Sequence, residues 1–494
     1  MNTTIRQATR MARLIRCWHA ILLSLGLLVA QPLASAADPP ASGESAKVPP
    51  GVELVVDPAP EPIPALKYHL MPPSAMRRPG NAAPIYLRLV HEQNDEWKQR
   101  LSDAADWLDL PLDQCPVDDI RTFLDAFHGV TDQLSAAACR TDCNWEYVLE
   151  NQDPLLIPLP DAQFMRAYAR LLAVKARFEL STGDLNGSIG SLQAGMALGQ
   201  HVTKGPFLVS RLIGKAVSGQ MLILIDELVQ QPGAPNLYWA LAELPRPITS
   251  LAPGLETEER LLEMKFPELS DLDRPRSPQD WQRLAQGLRE WAREVIKMEQ
   301  GNKVSQETIK WTGEPPTPQR LADARTYLAG KVRLATSLVQ AMSDAEVEVR
   351  YTVALHREII DAWRKWFLVP YPQALTHVPK PSESLLENVR RRELYPLISV
   401  LSPLSGLLPA QVRTDRQVAR QQAIEALRMH AAATGKLPDT LEEVTVVPVP
   451  ADPATGGPFH YSRDKEAAVL DVADEPGAER DVLRMPVRVR LRSK

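Results

Sequence analysis

Cysteine is scarce in this chain. Of four in 494 residues, Cys17 falls in the leader described below, which leaves Cys115, Cys139 and Cys143. No C-x-x-C pair is present, which argues against a thioredoxin-like or zinc-ribbon site. A basic excess is also missing. The formal net charge is −5, from 56 Lys and Arg against 61 Asp and Glu, and a mildly acidic chain is not built to take nucleic acid as its main partner, because phosphate binding needs a clustered cationic face. Glycine, at 24, is far rarer than proline, at 44. That balance speaks against a glycine-turned sandwich and for helices separated by proline stops. After residue 30 no window of about eighteen uncharged apolar residues occurs, so no later membrane span is expected. The best candidate, Leu394–Leu408, holds Pro396 and Pro403 and reads as core. G-x-G-x-x-G, P-loop, H-E-x-x-H and G-x-S-x-G motifs are all absent. What is present, 44% hydrophobic and 24% charged residues, is the composition of a globular protein.

The N-terminus reads as an export signal. Arg6, Arg10, Arg13 and Arg16 precede the mostly apolar run from Ala20 to Ala30, and Ala34-Ser35-Ala36 follows. A charged region, a short apolar region and an A-x-A site are the three parts of a secretory signal. Eleven residues make a helix of about 16 Å, too short for a ~30 Å hydrocarbon core. Residues 1–36 are therefore expected to be a signal peptide cleaved after Ala36, with an uncleaved anchor as the alternative. The exported chain would carry about −9 once the four arginines are gone, and would be periplasmic or extracellular. Residues 38–84 hold twelve prolines. Each removes a backbone donor and fixes φ, so residues 37–84 are expected to form an extended, disordered tether with polyproline II character, with at most a short edge strand over Val52–Val56. Such a stretch would serve as a spacer or as a ligand for a proline-binding partner.

From residue 85 to 434 the apolar spacing is three and four. In Asp118–Arg140, Ile120, Phe123, Leu124, Phe127, Val130, Leu134 and Ala138 form one stripe of a 3.6-residue period. The same pattern returns in 164–180, 185–202, 207–229, 281–298, 321–342, 347–367 and 412–430, with Gly and Pro between. The expected fold is mainly α, an array of antiparallel helical hairpins. Within it, Leu171–Gln200 places Ala176 at a helix crossing, Gly183 at a helix end that needs left-handed backbone and Asp184 at the next N-cap. This segment resembles a single tetratricopeptide hairpin over residues 169–202, although Glu179 stands where that repeat has an aromatic and no second copy follows.

Residues 435–494 change character. Gly435 ends a helix, Pro438 begins a short one, Asp452-Pro453 makes a turn, and strands are expected over 459–463, 468–472 and 487–492, giving a small α+β C-terminal cap. The order G-x-L-P-x-x-L followed by D-P-x-T-G-x-P-x-x-Y resembles the globular end of type II secretion pseudopilins. In those proteins a long apolar N-terminal helix leads directly into this module, whereas here some 375 residues intervene. Three further blocks, Ala137–Trp145, Leu171–Arg177 and Gln230–Leu241, resemble a family of uncharacterised exported proteins of planctomycete type. That resemblance implies compartment and architecture and carries no activity.

Candidate chemistry is sparse. With Asp118–Arg140 read as one helix, Cys115 lies about 33 Å from Cys139 at ~1.5 Å per residue. A Cys139–Cys143 disulfide is possible if the chain leaves the helix near Arg140; reduced or differently paired cysteines are the alternative. His91 and Asp95, four apart, would orient an imidazole on a helix face, or make a solvated contact. Glu256, Glu259 and Glu263 share a face that would bind a cation or form a solvated charged surface. Trp363 and Trp366 would line a groove for a sugar or peptide, or pack as core. Asp452 would echo a calcium loop or simply form its turn. No cofactor or metal is expected. The leading expectation is an exported, non-catalytic helical scaffold or interaction protein of the cell envelope, binding a protein or envelope polymer. The rivals are an envelope-directed hydrolase with unrecognised acidic residues and a component associated with a secretion apparatus.

Overall fold

The computed structural model describes residues 52–92, 95–149, 154, 157, 160–300, 314–377, 406–464, 466–471 and 486–492. The expected leader, residues 1–36, and the start of the spacer, 37–51, lie outside them. The described chain is mainly helical with a small four-stranded sheet built largely from its C-terminal end.

In chain order the helices are α1 (Ala83–Glu92), α2 (Asp95–Asp103), α3 (Val117–Ala126), α4 (His128–Ala138), α5 (Pro160–Ser181), α6 (Leu185–Val202), α7 (Leu208–Leu228), α8 (Tyr238–Ala242), α9 (Ala252–Glu259) and α10 (Leu261–Lys265). These are followed by α11 (Pro278–Gln300), α12 (Pro318–Gly330), α13 (Thr336–Ala341), α14 (Asp344–Arg364), α15 (Tyr371–His377) and α16 (Leu407–Thr434). The strands are β1 (Val52–Val56), β2 (Arg78–Asn81), β3 (Arg140–Asp142), β4 (His460–Arg463), β5 (Ala467–Asp471) and β6 (Val487–Leu491).

The α5–α6 hairpin forms where the local chemistry predicts. Gly183 has φ 81°, a left-handed turn that costs glycine little. The Asp184 side chain accepts from the Gly187 N–H at 2.8 Å and caps α6. The next crossing is closer still. A Cβ on Gly214 of α7 would stand 2.5 Å from the Gly199 carbonyl oxygen of α6, so two glycines let the backbones touch. α7 is also the described helix that is long and apolar enough to cross a membrane, and its most apolar window is 56% buried inside the protein.

Three expectations are corrected. The stripe over Asp118–Arg140 is two helices, because Phe127 (φ −105°, ψ 9°) ends α3 and precedes α4. The break turns its ring into the core, 4.6 Å from those of both Trp97 and Phe123. Residues 321–342 likewise divide into α12 and α13 after Gly330, with Arg333 at φ 63° between them. The largest correction concerns the tether: residues 52–84 belong to the fold. β1 is a full strand, paired in parallel with β6 from Val52↔Val487 to Val56↔Leu491. Leu54, Val56, Ala59 and Leu70 are buried. Pro58, Pro60, Pro62 and Pro64 are accommodated because they sit in irregular, largely exposed backbone, where a missing N–H costs little, and Pro84 lies in the first turn of α1.

The sheet order is β1-β6-β5-β4, with β5 antiparallel to β6 and β4 antiparallel to β5. The expected C-terminal strands are all present, but the cap is completed by the first described residues of the chain. A second, two-stranded parallel sheet joins β2 to β3, so among the described residues of 85–434 the regular structure is helical apart from β3. Among the described residues three large apolar cores form, with a fourth, small cluster of Ala374, Leu408, Val412 and Ala454. Of the large cores, one gathers α1–α7, one gathers α9–α14, and one lies among the sheet, α7, α8 and α16.

Candidate functional site

Cys115, Cys139 and Cys143 are free thiols in this structure, the reduced alternative to the Cys139–Cys143 bridge. The chain does leave α4 after Cys139, but it leaves as strand β3. An extended segment rises about 3.3 Å per residue, which carries residues four apart well beyond the ~4.4–6.8 Å Cα separation of a disulfide. Cys143 is buried, and that burial, reinforced by Asp142, pushes its thiol up to about 12. Native alkylation near neutral pH is therefore expected to spare Cys143. Denaturant without reductant should expose all three thiols to labelling, read by mass spectrometry; a thiol released only by reductant would contradict this.

The other nominated residues are mostly separated by the structure. His91 lies in the last turn of α1 and Asp95 begins α2, so they share no helix face. Trp363 is 4% exposed and belongs to the core of α9–α14. Trp366 lies past the end of α14, in the 3-10 turn Lys365–Leu368, and packs with the separate cluster of Ala374, Leu408, Val412 and Ala454. It is half-buried and stacks on His377 with ring centroids 5.2 Å apart. The two tryptophans therefore form no shared binding surface. Asp452 is buried against Arg416 at 2.9 Å and accepts from the Ala454 N–H, stabilising its turn.

The three glutamates have a more structured setting. Glu259 pairs with Arg364 at 2.5 Å, and Glu263 pairs with Arg357, tying α9 and α10 to α14. Glu256 has no hydrogen-bond or ion-pair partner among the described residues. It stands with Arg260 and Glu263 on the rim of a cavity of about 560 Å³, whose apolar wall includes Leu149, Pro253 and Met264. Leu149 and Met264 pack with the α1–α7 core, while α9 and α10 send Leu255 and Leu262 into the α9–α14 core. The cavity therefore opens at the seam between two apolar bodies, a usual place for a ligand site.

Glu258 faces elsewhere. Its carboxylate accepts from the Leu208 N–H at the start of α7, 3.3 Å away. Loss of water lifts it to about 7, with that single bond opposing. Beside it the buried His356 ring donates from Nε2 to the Glu258 carbonyl oxygen at 2.9 Å, and burial lowers the imidazole to about 4. The two shifts act oppositely on stability. Between about 4.5 and 7 the folded state holds a proton on Glu258 that the unfolded chain has released, so stability falls as pH rises. Between about 4 and 6.5 the unfolded chain binds a proton on His356 that the folded state refuses, so stability rises with pH. In a Glu258→Gln variant only the second slope remains. Urea unfolding at several pH values is expected to show stability climbing more steeply from pH 4.5 to 7 than in the parent, and an unchanged slope would refute the assignment.

Sequence reasoning missed the most polar part of the interior. α16 is buried almost throughout, yet it carries Gln411, Asp415, Arg416, Arg420, Gln421, Gln422, Glu425 and Arg428. Each has a partner on another element. Asp415 accepts from the Ile248 N–H at 2.8 Å and from the Tyr371 hydroxyl at 2.6 Å. Gln411 accepts from the Leu251 N–H at 2.8 Å. Arg420 and Gln421 hold Asp226 at 3.2 and 3.0 Å, and Gln422 accepts from Arg246 at 2.5 Å. Lys215 of α7 also faces Asp415, and burial with nearby Arg413 lowers its amine to about 8. These contacts fasten the 244–251 segment to the central helix. The only signal in the sequence was the density of polar residues inside an apolar helical stripe. Comparison with protein-family models, with curated proteins and with solved structures gives no match for this chain.

Proposed function

We propose that the protein is an exported, non-catalytic helical interaction protein of the cell envelope, and that its partner is a protein or an envelope polymer. One observation carries the reading: of the glutamates that the sequence nominates for chemistry, all but Glu256 are spent on structure, and so is Asp452. Glu259, Glu263 and Asp452 are each held by an arginine, Arg364, Arg357 and Arg416. The raised carboxyl of Glu258 faces the start of α7 and not the cavity. An apolar tip adds support. Ile63 is 93% exposed and Leu66 61% exposed, on a loop held by the Trp239 indole N–H donating to Glu61 at 2.6 Å and by the pair His69–Glu243 at 2.8 Å. Large apolar side chains presented on an anchored loop suit a binding surface.

Crosslinking in the native envelope, followed by capture of the full chain, tests this. A specific partner is expected, with the crosslink lost in an Ile63→Ser, Leu66→Ser variant that folds normally. Hydrolysis of envelope material by the pure protein, abolished by Glu258→Gln, would overturn it in favour of a hydrolase. A role in a secretion apparatus rests on the pseudopilin-like C-terminal motif alone. Deleting residues 435–494 is a poor test of that role, because it removes the partner of β1.

A further inference from the structure

We propose that the seam cavity binds a short zwitterionic peptide or free amino acid with an apolar side chain. The proposal deepens the reading of this protein as a binder and rests on it. The cavity holds about 560 Å³, within the ~300–1,000 Å³ of small-ligand sites and enough for more than a single residue. Its rim carries charges in the order acid, base, acid along α9 and α10: Glu256, Arg260 and Glu263. These three differ in how far they are already engaged. Glu263 is taken up by Arg357. Arg260 approaches Glu263 only loosely, at 3.9 Å, with its side chain 72% exposed, and Glu256 has no partner among the described residues. One carboxylate and one guanidinium, four residues apart across the α9–α10 junction, are therefore open to a ligand.

That pair sets the ligand's chemistry. An ammonium group satisfies Glu256, and a carboxylate suits the planar donor fork of Arg260. A simple anion meets two acids on the rim, and a simple cation meets Arg260, so a molecule bearing both charges fits best. Below the rim, Leu149, Pro253 and Met264 offer apolar surface, and methionine adapts to side chains of differing shape. Seating at the seam would brace the α1–α7 core against the α9–α14 core.

Titration calorimetry on the full chain tests this with leucyl-leucine, free leucine, the neutral N-acetyl-leucyl-leucine amide and octanoate. Saturable binding is expected for at least one of the two zwitterions, and the better of them identifies dipeptide or amino acid as the source. The neutral and anionic probes should bind at least about tenfold more weakly. Glu256→Gln and Arg260→Gln alter exposed side chains and leave the fold intact by circular dichroism; each should weaken the zwitterion about tenfold or more. No heat from either zwitterion up to ~10 mM, or equal affinity in both variants, would overturn the proposal. Partner capture in the envelope persisting alongside such a result places the failure in the cavity assignment and not in the broader reading.

Discussion

Replacing Arg428 with methionine is expected to lower the free energy of unfolding by about 3–5 kcal/mol, the usual cost of leaving a buried ion without its partner. Arg428 is fully buried. Its guanidinium donates to Glu425 at 2.9 Å, to the Ala234 and Pro235 carbonyls at 2.7 and 3.2 Å, and through Nε to the Asp57 carbonyl at 3.0 Å. The side chain therefore joins α16 to the 234–236 turn and to the residue that follows β1. Methionine fills much of the space but leaves the Glu425 carboxyl buried without its cation, and three carbonyls without their donor. Adding Glu425→Leu to Arg428→Met should recover part of the loss, because an apolar pair removes the stranded charge. Equilibrium urea unfolding reads both effects, and a loss below about 1 kcal/mol for the single variant would mean the hub is not energetically central.

The second large effect lies in the sheet. Val489 is fully buried in β6, flanked by Leu54 of β1 and Ala468 of β5. Val489→Asp puts an unpaired carboxylate into that core and is expected to cost more than about 3 kcal/mol, enough to prevent accumulation of folded protein. The next residue is the internal control. Arg490 is exposed and reaches Glu53 at only 3.6 Å, so Arg490→Ser should change stability by less than about 0.5–1 kcal/mol. Equal damage from the two substitutions would contradict the inward and outward alternation of β6.

The elements legible in the sequence are those specified by neighbours in the chain. Gly183 and Asp184 announce the α5–α6 turn because a left-handed residue and a cap act over three or four positions. The strands near 460, 468 and 487 show their alternation directly. What stayed hidden depends on partners far away. Val52–Val56 reads as a possible edge strand because its neighbours are prolines, and nothing nearby announces β6. Phe127 continues a helical stripe perfectly well, and only Trp97 and Phe123 explain why the helix breaks there. Arg428 and Asp415 look like solvent-facing residues until the backbone of residues 57, 234–236 and 248 is brought to them. The candidate cavity was partly legible: the run from Glu256 to Glu263 stands out by charge, but which acid stays open follows from Arg357 and Arg364, about a hundred residues further on.

The pairing of β1 with β6 also sets an order of events. The two strands are separated by about 430 residues, and β6 sits between β1 and the rest of the sheet. On a nascent chain β1 is made about 430 residues before the strand that receives it. Leu54 and Val56 stay without that partner until β6 has been made, while the local α5–α6 hairpin can form at once. Contacts so far apart along the chain form slowly. The four-stranded sheet therefore closes only once β6 is free to pair, and until then the chain is a set of helical hairpins in search of a lid.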